Sequence, residues 1–520
     1  MVYRGKPSTA CARCRSRRLK CDRQRPSCSS CLRVSKICTG YRDLVALSFE
    51  DQTDEVVGKA RRRHERQLTG KHESSSRSAL ATHSVSLATR PISAPIKDDG
   101  ISYVLTYYLG QTHSNLQSHL SFLRFLLQTS PSVAITASIN AMGLASLANI
   151  HSSPRLMLAA RQEYSVALSE TSAVLADTRR ATSDSTLAAI LMLGLYEVVT
   201  CDGPSLTARL IKHLDGATKL IELRGPEQLR NTVGLDMFLH LRSQFTVTNI
   251  CLKRSTPSWL RELSQGVTGQ QGPHEDAMEG ILVCLAQVSD LCGEISSGPQ
   301  DSPTAIICRA LQIDAELVGW SLRLDSDAGF SVVYNPATSK PGTPAWAVYD
   351  VYYHVYPGIE AALLWNTYRL TRIVVHELIV AVCERLCEIS GTNPDKHQSL
   401  LQQSVALTRQ LARDICASIG YIFQTHGTMN PALAPGAGLF RLVWALYVSA
   451  DCSGSSPDMK EWIIQCLQLI GRTLGVRQAL YITDLLRHGN GRWITPDFKR
   501  SIVNRRLNPM HIRIANPSNH

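Results

Sequence analysis

Six cysteines near the amino terminus have a spacing that suits metal coordination. They are arranged as Cys-x2-Cys-x6-Cys-x6-Cys-x2-Cys-x6-Cys, so the first three and the last three repeat the same interval. Each half can therefore offer three thiolates to one ion. Zinc takes four ligands in a tetrahedron, and six thiolates satisfy two ions only if two sulfur atoms are shared. The pattern predicts a cluster of two zinc ions held by Cys11, Cys14, Cys21, Cys28, Cys31 and Cys38.

The segment that carries these cysteines is strongly cationic. Residues 1–42 contain twelve lysines and arginines and a single acid, Asp22, whereas the rest of the chain is close to neutral. Six thiolates and two Zn²⁺ together carry a charge of about −2, so the segment stays cationic once the metal is bound. A cationic head on a neutral body indicates contact with a polyanion such as DNA or RNA.

The other ten cysteines are scattered singly between Cys201 and Cys466. No apolar segment follows the basic residues at the start of the sequence, so we expect no secretory signal and a reducing compartment. There, clustered cysteines serve as metal ligands, and single ones behave as small buried hydrophobic residues. Cys383 and Cys387 share a predicted helix face but lack the second pair that a metal site would need.

The segment CARCRSRRLKCDRQRPSCSSCLRVSKIC, residues 11–38, resembles the fungal Zn2Cys6 binuclear-cluster DNA-binding domain. The resemblance covers the six cysteines, the basic run after the second, a lysine directly before the third and a proline in the connecting loop. It implies that Cys11 and Cys28 bridge the two ions. The remaining ligands would be Cys14 and Cys21 for one ion, and Cys31 and Cys38 for the other.

The basic residues acquire a role from the same resemblance. We expect a short helix beginning at Cys14 to enter the major groove of double-stranded DNA, where Arg or Lys donates to guanine O6 and N7. The resemblance implies that Arg18 reads a CGG-type triplet and that Arg17 assists partly through its backbone. The residues expected to hold phosphates, which fix register without carrying sequence, are Arg15, Lys20 and Arg23.

Composition divides the rest of the chain into two parts. Residues 43–100 read as a basic segment and flexible linker, because no aromatic residue occurs between Phe49 and Tyr103. Residues 101–520 have the apolar spacing of helices and no sustained alternation typical of strands. We therefore predict a small zinc-stapled domain over residues 1–42, joined by a flexible linker to a large all-α regulatory domain over residues 101–520.

Several helices are predicted within the large region. They cover Tyr103–Leu127, Pro154–Leu175, Ser185–Thr200, Leu206–Leu223, Ile359–Leu386, Leu400–Phe423 and Met459–Leu486. Gly225 and Pro226 are expected to end the helix before them, and Pro, Gly, Ser and Asp indicate loops at residues 296–303 and 325–344.

The large region is similar to the fungal-specific transcription factor domain found behind such clusters. The similarity lies in HLDGATKLIELRGP (213–226), ALLWNTYRLTRIVVHELI (362–379) and WALYVSADC (444–452), and in the segment after the last cysteine. It implies a nuclear transcription regulator whose helical region responds to a ligand or partner and works with the transcription machinery or co-regulators. Trp365, Tyr368 and Trp444 are interpreted as ordinary core residues.

Other classes of protein fit the sequence less well. We expect no membrane span, because apolar runs are interrupted by Glu197 and Arg441. We expect no enzyme, because His376 and Glu377 lack the second histidine of a zinc protease motif and no nucleotide-binding loop occurs. The alternative is a zinc-dependent interaction or RNA-binding protein, but the cysteine segment lacks the aromatic residues on which single-stranded bases stack.

Residues 51–66 bear on nuclear import, and the segment after the cluster bears on dimerisation. A helix over Asp51–Arg66 would end in a basic cluster that suits either a nuclear import signal or the charge bias of a helix carboxyl end. The apolar residues from Leu44 to Leu68 do not sustain three heptads, so no coiled coil is predicted. A monomer on one triplet and a homodimer through the helical domain both stay open.

Overall fold

The computed structural model describes residues 10–24, 26–38, 96–109, 120–177, 179–267, 273–298, 302–324, 328–334, 349–389, 394–424, 436–489 and 493–502. The chain divides into two compact units, Met1–Arg90 and Pro91–His520. Nearly all of the predicted linker at 43–100 lies outside the described residues, including the predicted helix over Asp51–Arg66 and its basic cluster.

The first unit contains two short helices, α1 (Ala12–Ser16) and α2 (Ser29–Leu32). The expectation of a helix beginning at Cys14 is wrong, because α1 begins at Ala12 and ends at Ser16. The N–H of Leu19 donates to the carbonyl of Cys14 at 2.8 Å, and Arg18 is left-handed with φ of 53°. This is the Schellman arrangement that ends helices, so the basic residues after Ser16 lie on a turn.

The second half of this unit repeats the same turn. The N–H of Lys36 donates to the carbonyl of Cys31 at 3.1 Å, and Ser35 is left-handed with φ of 48°. The repeated cysteine interval is therefore also a repeated backbone geometry, in which Arg18 and Ser35 occupy equivalent positions.

The second unit is mainly helical. Its helices are α3 (Ile96–Tyr103), α4 (Ser121–Thr129), α5 (Val133–Ile150), α6 (Pro154–Leu175), α7 (Asp184–Thr200), α8 (Pro204–Arg224), α9 (Thr232–Leu252), α10 (Ser258–Gln265), α11 (Pro273–Ser296), α12 (Pro303–Leu322), α13 (Ile359–Ile389), α14 (Pro394–Gln424), α15 (Gly436–Asp451), α16 (Pro457–Leu474), α17 (Arg477–His488) and α18 (Pro496–Ser501). A π-helical turn over Val104–Tyr108 follows α3, and a 3-10 turn over Gly225–Arg230 follows α8. The predicted fold class, a small cysteine-rich domain followed by a large helical domain, is confirmed.

Two short strands interrupt the helical pattern. Strands β1 (Ser331–Tyr334) and β2 (Tyr352–Val355) pair antiparallel, with Val332 opposite His354. Strand β1 lies in the stretch predicted as a loop. Strands of four residues are too short to give a sustained alternation, which explains why the sequence did not indicate them.

Local signals placed several helix ends correctly. The prediction of Pro154–Leu175 is confirmed, because the hydroxyl of Ser153 accepts the N–H of Leu156 and Pro154 opens the first turn. The predicted stop after α8 is also confirmed, since Gly225 is left-handed with φ of 62° and follows the last helical residue, Arg224.

Two of the predicted long helices are wrong as single elements. Met459–Leu486 is divided at Gly475, which has φ of 69° and packs so closely that an added Cβ would lie 2.2 Å from the carbonyl oxygen of Ser146. Tyr103–Leu127 is divided too, because α3 ends at Tyr103 and gives way to the π-helical turn. In both cases the apolar spacing runs on through the break.

Among its described residues, the helical unit has two large hydrophobic cores. The first is built from side chains between Tyr103 and Val267. The second is built mainly from side chains between Ile281 and Ile502, so α11 and α12 pack with α13 and the helices that follow. Leu210 of α8 packs against both cores.

Helix α5 corrects one expectation about membranes. Its eighteen residues contain no charge, and among the described helices it is long and apolar enough to cross a membrane by length and composition. The expectation that no such stretch exists is therefore wrong. Most of the helix is buried against α3, α6 and α7, and a helix that is enclosed on all sides needs no polar face.

Candidate zinc centre and DNA-binding surface

The six clustered cysteines lie together in two overlapping groups. One group contains Cys11, Cys14, Cys21 and Cys28, and the other contains Cys11, Cys28, Cys31 and Cys38. Within each group the four sulfur atoms lie within 4.8 Å of one another. Because the groups share two sulfur atoms, six thiolates form two complete sets of four.

The spacing of the sulfur atoms fits zinc. The Sγ atoms of Cys11 and Cys28 are 3.8 Å apart, those of Cys11 and Cys31 are 3.8 Å apart, and those of Cys14 and Cys28 are 3.6 Å apart. A tetrahedron with Zn–S bonds of about 2.3 Å has edges of about 3.8 Å. The donor set and its geometry therefore suit two tetrahedral zinc ions.

The two short helices place the cysteines. Cys11 directly precedes α1 and Cys14 lies three residues on, so both face the same side, and the N–H of Cys14 donates to Cys11 Sγ at 3.4 Å. Cys28 and Cys31 have the same relation to α2. The sulfurs of these four residues are fully buried, whereas Cys21 and Cys38 are partly exposed.

The surroundings of Cys28 favour a thiol over a thiolate when no metal is bound. Burial raises the pKa of the Cys28 thiol, so zinc must displace a proton when it binds there. Arg13 Nη1 lies 3.8 Å from Cys31 Sγ and donates towards it. A guanidinium at this position offsets part of the negative charge of the thiolate cluster.

The predicted DNA-contacting residues lie beside this centre. The side chains of Arg17, Arg18, Lys20 and Arg23 are exposed. Arg15 lies within α1, and its side chain is not among the described ones. The turn at Arg18 therefore brings exposed cations together between Cys14 and Cys21, at the surface of the centre.

Sequence reasoning missed the contacts that join the two halves. The carboxylate of Asp22 accepts the N–H of Ser29 at 3.1 and 3.2 Å and also the hydroxyl of Ser29. The hydroxyl of Ser30 donates to the carbonyl of Lys20 at 2.9 Å. Cys28 is the N-cap residue of α2 but its side chain makes no capping hydrogen bond, so the carboxylate of Asp22 supplies the acceptor at the start of this helix.

The scattered cysteines agree with their predicted role in part. Seven of the ten are buried, while Cys387 is partly exposed and Cys251 and Cys308 are exposed. Cys383 and Cys387 belong to neither of the two metal-binding groups found among the described residues.

Comparison with known families agrees with this geometry. Residues 9–46 match the model of the fungal Zn(2)-Cys(6) binuclear cluster domain, and residues 104–328 match that of the fungal specific transcription factor domain. The chain therefore combines the two domains of the fungal Zn2Cys6 transcription factor family. The predicted cofactor is thereby confirmed, since a Zn2Cys6 cluster binds two zinc ions. Membership of this family implies DNA binding and transcription regulation.

Two relatives of this Zn2Cys6 protein carry names that agree with the family. Transcription factor dbaG of Emericella nidulans is 25% identical over 238 residues, which is 42% of this chain and 54% of that protein. White-opaque regulator 2 of Candida albicans is 44% identical over 46 residues, which is 9% of this chain and 10% of that protein. The matches thus span about half of the first relative and a tenth of the second. No solved structure matches the chain.

Proposed function

We propose that this protein is a sequence-specific regulator of genes transcribed by RNA polymerase II, and that it works in the nucleus. In this proposal residues 1–42 are the DNA-binding domain, residues 43–100 connect it onward and residues 101–520 are the regulatory domain. Co-regulators or the transcription machinery, and in a dimer a second copy, are its protein partners.

The observation that carries the proposal is the position of the basic turn. Arg17, Arg18 and Lys20 are exposed between two cysteines of one four-sulfur group. Metal-held cysteines on either side restrict the turn, so its cations are presented in a fixed arrangement, as base recognition requires. A segment that only added positive charge would not need to be restrained in this way.

Each basic residue has a distinct proposed role. Arg18 donates to guanine O6 and N7 of a CGG-type triplet in the major groove, because the fork of a guanidinium matches these two acceptors. Arg17 assists, partly through its backbone. Arg15, Lys20 and Arg23 hold phosphates on either side and fix the register. In the cluster, Cys11 and Cys28 bridge the two ions.

Competition binding tests the proposal. The zinc-loaded full chain is bound to a labelled duplex that contains CGG, and unlabelled CGG duplex, scrambled duplex or single-stranded RNA is added as competitor. We expect the CGG duplex to compete at least about 1,000-fold better than the scrambled duplex. Equal competition by the two duplexes would overturn sequence-specific reading, and stronger competition by RNA would favour the RNA-binding alternative.

A further inference from the structure

The turn that carries Arg17, Arg18 and Lys20 is attached to the second half of the cluster domain by side chains as well as by metal. Lys20 and Asp22 flank the metal ligand Cys21, and each is joined to the start of α2. The carbonyl of Lys20 accepts from Ser30, and the carboxylate of Asp22 accepts from Ser29. The end of the basic turn is thus held at two points.

The other end of the turn is held within the first half. The N–H of Leu19 bonds to the carbonyl of Cys14, and Arg18 between these contacts takes the left-handed conformation that costs energy for any residue except glycine. A strained residue keeps its conformation only where its surroundings determine it. The contacts on both sides of Arg18 provide that restraint.

We propose that Asp22 and Ser30 are positioning residues for DNA recognition, which hold the basic turn in the orientation that lets Arg18 reach a guanine. The inference rests on the proposed function and adds two specificity-determining residues that touch no base. Direct contact with DNA is not required of either residue, since each acts through the backbone of the turn or of α2.

Removal of the Asp22 carboxylate distinguishes a positioning role from a purely electrostatic effect on DNA affinity. Asp22 is the only acid in the cationic segment at residues 1–42, and its carboxylate opposes binding to phosphates. If charge alone mattered, its removal would strengthen binding to every duplex. If Asp22 positions the turn, its removal lowers the preference for the correct triplet even while binding to scrambled DNA becomes stronger.

A matched pair of serine variants tests the contact from Ser30. The hydroxyls of Ser30 and Ser16 each donate to a backbone carbonyl at 2.9 Å, but Ser16 bonds to Arg13 within α1 and Ser30 bonds across the two halves. Zinc content and affinity for CGG and scrambled duplexes are measured on the full chain. We expect Ser30→Ala to keep two zinc ions and to lower the ratio of the two affinities about fivefold, as the loss of one hydrogen bond would. Ser16→Ala should leave this ratio unchanged.

Two variants of Asp22 complete the test. Asp22→Ala removes both the charge and the acceptor, whereas Asp22→Asn removes the charge and keeps an oxygen that can accept from Ser29. We expect both variants to bind scrambled duplex more tightly than the unsubstituted chain. The ratio of the affinities for CGG and scrambled duplex should fall about tenfold in Asp22→Ala. In Asp22→Asn it should stay within about threefold of the ratio for the unsubstituted chain, because only this variant still caps α2.

The outcomes separate the inference from the proposed function. Equal affinity of the unsubstituted chain for both duplexes would overturn the proposed function and the inference with it. If the unsubstituted chain prefers CGG but Ser30→Ala behaves like Ser16→Ala, the inference alone is overturned. Loss of zinc from Ser30→Ala would also overturn it, because the contact would then maintain the cluster itself.

Discussion

The shared sulfur atoms lead to a prediction about zinc stoichiometry. Cys38→Ser removes a ligand from one group only and leaves Cys11, Cys14, Cys21 and Cys28 as a complete set of four. Cys11→Ser removes a ligand from both groups, so each keeps three sulfurs. We therefore expect about one zinc ion per chain in Cys38→Ser and about none in Cys11→Ser, against two in the unsubstituted chain.

The difference in retention follows from coordination number. Zinc in a structural site is bound by four protein ligands, and sites with three keep an open position that water or a competing chelator occupies. The assay is zinc content by elemental analysis, after dialysis of the full chain against a chelator of intermediate affinity. Cys308→Ser is the control, because this cysteine is exposed and belongs to neither group, and it should keep both ions.

Equal zinc loss in Cys11→Ser and Cys38→Ser would refute this reasoning. It would mean that the sulfur of Cys11 is not shared, or that the loss of one ion releases the other. Native mass spectrometry separates these two cases. If the two sites are independent, chains with one bound ion should be present at intermediate chelator concentrations. If release is concerted, only chains with two ions or none should be present.

Three further predictions concern DNA reading, pH and packing. Arg18→Ala should cost about 1 to 3 kcal/mol on CGG duplex and little on scrambled duplex, whereas Lys20→Ala should weaken both and reduce the salt slope by about one, as a salt titration would show. Burial raises the pKa of Glu377 to about 7 from 4.5, although it accepts two hydrogen bonds from Ser453. The folded unit therefore binds the proton of Glu377 more tightly than the unfolded chain does. Its free energy of unfolding should fall by up to about 3 kcal/mol as pH rises from 4.5 through 7, and thermal unfolding of Glu377→Gln should not show this loss. Gly143→Ala should lower the free energy of unfolding by about 1 to 3 kcal/mol, since its Cβ would lie 2.0 Å from the carbonyl oxygen of Gly100; unchanged chemical denaturation would contradict this.

Much of the fold could be predicted because its signals are local. The cap at Ser153 and the glycine at 225 act on their own neighbours, so a short stretch of sequence contains the information. The break at Gly475 could not be predicted in this way, because it depends on the carbonyl of Ser146, which is distant in sequence. Helix α5 carries no charge over eighteen residues, so its length and composition alone do not distinguish it from a membrane span; its burial against other helices does.

The zinc ligands could be predicted from the sequence, but the orientation of the basic turn beside them could not. Six cysteines at a repeated interval determine which atoms meet, because zinc fixes the distances between its ligands. The direction of the basic turn depends instead on the left-handed conformation of Arg18 and on the bond from Ser30 to Lys20. An arginine seldom takes the left-handed conformation, and the residue type of a serine does not indicate which distant carbonyl it bonds to, so spacing and composition gave no indication of either feature.

The second hydrophobic core has a consequence for any shortened form of this protein. The match to the fungal specific transcription factor domain stops at residue 328, just after α12. Yet two residues of α12 have partners beyond that boundary. Trp320 stacks on Tyr368, and Asp314 forms an ion pair with Arg372 at 2.6 Å. A fragment ending at residue 328 would expose apolar side chains of α12 to water and leave Asp314 without its arginine, so it should aggregate. The boundary of sequence similarity is therefore not a boundary at which the polypeptide can be cut.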